Sequence, residues 1–168
     1  MLIINADDFG FDLLTTDRIL SCYKNGRITS ASTMMFMSDT ERSAELALEF
    51  GLDVGLHLNF TEQFSGNVTS SLLKKYHQDI SSFLLKNKYF FLLYNLKLRK
   101  QFHYVYKAQY DEYLKLYNRT PTHINGHHHM HLCANIIFDR IIPKDTRVRK
   151  NFSFSWRKKI YLIYVIER

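Results

Sequence analysis

The chain has 168 residues, of which 46% are hydrophobic and 23% are charged. This length and composition are sufficient for a folded core and exclude a disordered chain, so we expect a single domain over residues 1–168. Only two cysteines are present, which excludes a disulfide framework. The net charge of +7 is uneven, because residues 144–168 carry eight Lys/Arg and two Asp/Glu and leave the body almost neutral, so we expect no nucleic-acid partner.

The start of the chain and its apolar runs predict where the protein is located in the cell. Residues 1–6 enter an apolar strand without a basic region or cleavage site, which predicts no secretory signal and a cytoplasmic protein. The longest apolar-rich run, 83–98, is interrupted by three lysines and is too short for a bilayer, so we expect no membrane partner. Residues 144–168 are expected to be a basic, divergent or truncated end.

Strand and helix patterns alternate along the chain. Strands are predicted at 2–6, 28–35, 53–59, from 122, and at 146–149. Helices are predicted at 12–25, at 42–50 behind a capping box at 38–41, over 70–117 with breaks near 87 and 95, and at 131–139. This alternation predicts an α/β fold with a parallel sheet.

Two adjacent carboxylates, Asp7 and Asp8, end the first predicted strand. Successive side chains of a regular strand point to opposite faces, so both can serve one site only if the chain turns there. Gly10 is the residue expected to allow that turn.

The third predicted strand alternates most cleanly. Its apolar residues are Val54, Leu56 and Leu58, and its other face carries Asp53, Gly55, His57 and Asn59. This pattern is typical of a parallel sheet or barrel whose outer face packs on helices and whose inner face ends in a polar site. His57 is therefore a candidate ligand, although a lone histidine is more often a hydrogen-bonded structural residue.

Residues 122–131 (THINGHHHMH) hold five of the eight histidines. In an extended segment His127, His129 and His131 would share one face with Asn125, so several imidazoles could converge. A purification tag and a functionless surface tract are the alternatives, but the tract is internal and interrupted. Mixed Asp and His donors suit a hydrolytic divalent metal better than a closed structural site, without deciding between zinc, magnesium and manganese.

Three segments carry a resemblance to a known family: residues 5–10 (NADDFG), 55–61 (GLHLNFT) and 122–131. Together they resemble the YdjC-like carbohydrate deacetylases of the ChbG type, which remove acetyl groups from chitooligosaccharides. The resemblance covers about residues 1–142. It implies a distorted or incomplete parallel (β/α) barrel of the polysaccharide-deacetylase type.

By motif position, the resemblance implies that Asp8, His57 and His127 hold a divalent metal ion, Mg²⁺ or Zn²⁺, and that Asp7 is the general base. Asn125 stands where family members commonly carry Asp. The leaving-group acid is expected to be His129, with His131 second. Asn59 and His131 are expected to bind substrate.

The expected function is metal-dependent removal of N-acetyl groups from amino sugars or chitooligosaccharides, with a small N-acetylated carbohydrate as the partner and a homodimer left open. Family members run on for roughly another third of the chain and bring a late histidine segment, whereas no histidine follows His131 here. A truncated, non-catalytic remnant that binds metal or sugar is therefore the alternative. A third interpretation is another metallohydrolase chemistry, such as phosphoester cleavage.

Overall fold

The computed structural model of the protein describes residues 3–150 and a short strand at 165–166. Strands and helices alternate through the described part of the chain. The strands are β1 (Asn5–Phe9), β2 (Ser30–Thr33), β3 (Asp53–Leu58), β4 (Ile124–Gly126), β5 (Val148–Arg149) and β6 (Val165–Ile166). The helices are α1 (Leu13–Lys24), α2 (Thr40–Phe50), α3 (Ser71–Leu84), α4 (Arg99–Tyr117) and α5 (Ala134–Phe138). Short 3₁₀ segments lie at Phe90–Leu92, Leu96–Leu98 and His127–Leu132.

The six strands form one sheet in the order of the sequence. Strands β1 to β5 are parallel to their neighbours, and β6 runs antiparallel to β5. The sheet does not close within the described residues. Five sequential parallel strands joined by helical crossovers are the arrangement of a (β/α) barrel that is distorted or incomplete, as the family resemblance implies.

Local sequence explains where several helices begin and end. The side chain of Asp12 accepts a hydrogen bond from the Thr15 backbone N–H (2.7 Å) and caps α1, and Ser70 caps α3 in the same way. Helix α2 ends at Gly51, which is left-handed at φ +66°. The predicted breaks near 87 and 95 are confirmed, since both lie between the end of α3 at Leu84 and the start of α4 at Arg99.

The predicted capping box at 38–41 is wrong. The Ser38 hydroxyl donates to the Phe11 carbonyl instead of capping α2, and the hydroxyl of Thr40 accepts from the Met37 N–H. Helix α2 begins at Thr40 instead of residue 42, and its N-cap residue, Asp39, makes no side-chain cap hydrogen bond. The loop after β2 is held to the loop after β1 by the Ser38 contact.

Helix α4 is fixed against β3 by two buried polar side chains. The Gln109 side chain donates to the Asn59 carbonyl and accepts from the Asn59 N–H, and the Tyr113 hydroxyl donates to the Val54 carbonyl (2.7 Å). Asn59 follows the carboxyl end of β3 and Val54 lies near its start, so α4 runs antiparallel to the strand. This packing holds the outer face of β3, and with it the strand end that carries His57.

Within residues 3–150, no helix combines the length and apolarity that crossing a bilayer requires. Most of the basic end, 151–164 and 167–168, lies outside the described residues. The predicted strand at 146–149 corresponds to β5.

Candidate active site

The carboxyl end of β1 contains the turn that two adjacent carboxylates need. The pairing of β1 with β2 is irregular between Ala6 and Phe9, as in a β-bulge, and Asp8 itself is left-handed at φ +66°. Such a backbone is costly for a residue with a Cβ and is concentrated at functional sites. The turn therefore begins at Asp8, ahead of Gly10, and it lets both carboxylates reach the same region.

Three predicted ligands come together at the carboxyl ends of the strands. Asp8 Oδ1 lies 3.1 Å from His57 Nε2 and 3.0 Å from His127 Nδ1. One donor atom from each of the three residues lies within 4.8 Å of the other two. The residues come from β1, β3 and the segment after β4, so convergence depends on the parallel order of the strands.

The pKa of Asp8 reflects these neighbours. Burial alone would raise the pKa of Asp8, but hydrogen bonds from His127 and His57 and their charges lower it well below its ordinary value. The carboxyl group is therefore ionised across the range in which most enzymes work, which a metal ligand requires.

Asp7 is surrounded by donors. Its Oδ1 accepts from the side chains of Asn5 (2.8 Å), Ser32 (3.0 Å) and Asn125 (2.8 Å), and its Oδ2 accepts from Arg149 (2.6 Å). Burial opposes ionisation, but the His57 and Arg149 charges and these hydrogen bonds lower the pKa of Asp7 below its ordinary value. Asp7 is therefore a carboxylate held in one orientation.

The histidine tract is not the extended strand that the sequence predicted. Strand β4 ends at Gly126, and residues His127–Leu132 form a 3₁₀ segment in which His128 and His129 are left-handed. The prediction that alternate histidines share a face is therefore wrong. The physical reason is the fold-back at Gly126, where a Cβ would lie 2.9 Å from the Cβ and backbone nitrogen of His131.

This turn sends the histidines in different directions. The His127 ring points to Asp8, and the His128 ring lies against it at 4.1 Å between centroids, with its Nδ1 3.2 Å from the Thr61 hydroxyl. His131 is 1% exposed, and its Nε2 lies 3.0 Å from the Arg149 carbonyl. His123 packs over Gly55, at the opposite end of the strand from the ligands.

His129 and Asn59 complete the set of predicted site residues. His129 is partly buried, and burial and the Arg149 charge lower its pKa, so neutral imidazole is favoured at pH 7. Asn59 is fully buried, and its side chain bonds the backbone of Thr61 and Glu62. Neither Asn59 nor His131 is open to a substrate here, and the substrate-binding role of both stays a prediction.

Sequence reasoning missed Arg149 and Ser32. Arg149 lies on β5, in the stretch predicted to be a basic, divergent or truncated end, and its guanidinium contacts Asp7. The predicted strand at 146–149 was the available signal, because the carboxyl end of one more parallel strand must lie beside the others. Ser32, on β2, had no signal in its own sequence neighbourhood.

The donor set fits a divalent metal. One carboxylate and two imidazole nitrogens bind zinc or another divalent ion at about 2.0–2.2 Å, and ligand atoms around one ion then lie roughly 3–4 Å apart. The Asp8 distances to both histidine nitrogens fall at that spacing. Exposed acidic clusters often hold no ion, but here the three side chains come from β1, β3 and the segment after β4, and one of them, His57, is buried.

The fold and this cluster define an incomplete (β/α) barrel with an Asp/His/His group at the carboxyl ends of its strands. Comparison with known families gives a match to the YdjC-like protein family over residues 1–148, and the chain belongs to this family. The motif-based resemblance is thereby confirmed.

Named relatives extend the comparison. A carbohydrate deacetylase of Clostridium beijerinckii is 34% identical over 136 residues, covering 80% of this chain and 52% of the relative. A chitooligosaccharide deacetylase of Serratia marcescens is 29% identical over 137 residues, covering 81% of this chain and 52% of the relative. The chain thus spans about half the length of these relatives.

A solved structure supports the fold. A protein of Enterococcus faecalis V583, described as a candidate cellobiose-phosphate cleavage protein, superposes with a TM-score of 0.65 at 23% identity. The match covers 94% of this chain and 60% of that one. The expected (β/α)-barrel-type architecture is confirmed by this likeness.

Proposed function

We propose that the protein is a metal-dependent hydrolase that removes N-acetyl groups from amino sugars or chitooligosaccharides. The observation that carries the proposal is the convergence of Asp8, His57 and His127 beside a second, separately held carboxylate, Asp7. Two relatives named as deacetylases of carbohydrates or chitooligosaccharides support the substrate class. Family membership alone would not select a reaction, since one fold serves many chemistries.

Asp8, His57 and His127 are the residues that would hold the ion, Mg²⁺ or Zn²⁺. When bound, it would supply Lewis acidity toward the acetamide carbonyl and toward water. The reaction consumes one water and one acetamide and yields acetate and a free amine. The protein's own groups must therefore remove a proton from the water and deliver one to the amine.

Asp7 is proposed as the base. It is next to a metal ligand in the chain but bonds different partners, so the adjacent carboxylates can have distinct tasks. Its Oδ2 already accepts from Arg149, which would stabilise the carboxylate and hold it in place before the proton transfer. Arg149 is thus a positioning residue for the base.

His129 remains the proposed acid for the departing amine. Because its resting imidazole is neutral, it would first take up the proton that Asp7 removes from the water and then donate that proton to the amine. It lies close enough to Asp7, His57 and Arg149 for their charges to act on its pKa. The backbone at His129 is left-handed, and its ring centroid lies 6.3 Å from that of the buried His131. Because His131 bonds the carbonyl of Arg149, its support for the site is proposed to be indirect, through the position of β5.

The test is acetate release from an N-acetylglucosamine oligomer by the purified chain, with Zn²⁺, Mg²⁺ or Mn²⁺ added. We expect metal-dependent release, strongly reduced in His129→Ala. His103→Ala, an exposed histidine on α4, is the matched control and should behave as the parent.

Two outcomes would redirect the proposal. A folded parent that binds metal and releases no acetate would be the non-catalytic remnant. Activity unchanged in both His129→Ala and His131→Ala would place the acid elsewhere.

A further inference from the structure

We propose that Asn125 is a positioning residue that couples the base to a metal ligand, by fixing which nitrogen of His57 faces the ion. Its side chain lies between the two, with Nδ2 2.8 Å from Asp7 Oδ1 and Oδ1 2.7 Å from His57 Nδ1. It is 1% exposed, and its contact with His57 is buried. The inference rests on the proposed metal site and deepens it.

The first step is the orientation of the amide. A carboxylate oxygen only accepts hydrogen bonds, so the group that faces Asp7 must be the NH₂ of Asn125. The reverse orientation would set the amide oxygen against Asp7 Oδ1 at hydrogen-bond distance. Asp7 therefore determines which end of the amide points to His57.

The second step is the orientation of the imidazole. The amide oxygen that faces His57 can only accept, so Nδ1 must carry the hydrogen. The Ser32 hydroxyl, 3.4 Å from the same nitrogen, donates to Asp7 and so does not compete for that position as a donor. In this structure Nε2 faces Asp8 Oδ1 at 3.1 Å, and it is the nitrogen whose lone pair an ion at the shared centre of the ligand group would take in place of that contact.

The third step is the consequence for binding. A metal-bound histidine almost always donates its other N–H to an oxygen that fixes its ring, and loss of that partner typically weakens metal binding 10–100-fold. An amide oxygen meets this need as well as a carboxylate does. Unlike an aspartate, asparagine also has an NH₂ group that donates to Asp7, whereas an aspartate at 125 would bring two carboxylates within about 3 Å of each other.

The experiment measures zinc affinity and the His57 proton in the full chain. In the zinc-loaded parent, ¹H–¹⁵N NMR should show a slowly exchanging proton on His57 Nδ1. Asn125→Leu should lose that protection and weaken zinc binding about 10–100-fold. Asn125→Asp, which keeps an acceptor for Nδ1, should retain the protected proton and bind zinc within a few-fold of the parent.

Asn135→Leu is the matched control, because Asn135 is equally buried but, among the residues that the structure describes, its side chain bonds the backbone of Asn95 in the loop before α4. It should lower stability without changing zinc affinity. A parent in which zinc sits on Nδ1, or Asn125→Leu with parental affinity and a protected proton, would overturn the inference. Should Asn125→Leu fail to fold, the parent spectrum and Asn125→Asp still decide.

Failure of the proposed function is distinguishable from failure of this inference. Zinc binding that depends on Asn125 without acetate release would refute the deacetylase and leave the coupling intact. Metal-dependent acetate release, together with zinc affinity that Asn125→Leu does not change, would support the deacetylase and refute the coupling.

Discussion

At the scale of single residues, the site separates two neighbouring carboxylates by their partners. Asp8 bonds two imidazoles, whereas Asp7 bonds Arg149 and three neutral donors. The left-handed backbone at Asp8 makes this separation possible, since a regular strand would point one carboxylate away.

We therefore expect Asp7→Asn and Asp8→Asn to differ. Asp7→Asn removes the base and should lower acetate release by a factor on the order of 10² or more while metal content stays nearly intact. Asp8→Asn should lose both metal and activity. Metal content by elemental analysis and acetate release would be measured on both variants. Equal metal loss would mean that the roles are exchanged or that both carboxylates are ligands.

A buried histidine away from the site gives a pH prediction. His77 packs at 4.1 Å on the Phe64 ring, its Nε2 has no partner among the described residues, and burial lowers its pKa to about 4. The unfolded chain takes up this proton near pH 6.5, whereas the folded chain takes it up only near pH 4. The free energy of unfolding should therefore fall by on the order of 2–3 kcal/mol as the pH is lowered from about 6.5 to 4, and His77 should cause no further loss below pH 4.

Urea denaturation at several pH values would measure this effect. His77→Leu should remove His77's share of the loss between pH 6.5 and 4, and His103→Gln, at an exposed position, should keep it. A parent stability that is flat over this range would contradict the prediction.

At the scale of elements, hydrophobic periodicity in the sequence predicted most of the strands and helices. The alternation on β3 placed His57 correctly, because Val54, Leu56 and Leu58 lie in the hydrophobic core whereas His57 meets Asp8. The extended conformation predicted for the histidine tract was wrong because of a tertiary contact. Strand β4 has three residues, and the packing of His131 against Gly126 ends it, which no local pattern of alternation could indicate.

Interactions between distant segments were equally hidden. Asp7 and Arg149 are 142 residues apart, and Asn125 reaches Asp7 from a strand that does not pair with β1. Motif position grouped Asp8, His57 and His127, but the residues that orient them become visible only once the strand order is known.

Gly126 gives a prediction at this scale. Gly126→Ala would force a Cβ into the backbone of His131, so we expect a loss of about 1–3 kcal/mol of stability together with weaker zinc binding, because His127 follows directly. Gly51→Ala is the control: it strains a left-handed turn at φ +66° with open space around it. It should lower stability without affecting zinc. Equal zinc affinity in Gly126→Ala and the parent would show that the turn does not position His127.

At the scale of the whole molecule, the ligand group joins parts of the sheet that are far apart in sequence. Asp8 lies on β1, His57 lies on β3 and His127 follows β4, so the native sheet must form before the three donors meet. An ion that binds only the folded chain must therefore stabilise it, with a free energy set by its concentration relative to Kd.

We expect this linkage in thermal unfolding. At zinc concentrations about 100-fold above Kd, the stabilisation is about 2.7 kcal/mol, which for a chain of this size corresponds to a rise in Tm of about 5–10 °C. Asp8→Asn and His57→Asn should show almost none of it, because each removes a donor. Asp7→Asn and His103→Gln should keep it. Differential scanning fluorimetry with and without zinc would measure the shift, and a rise in Asp8→Asn as large as in the parent would place the bound ion somewhere other than between these strands.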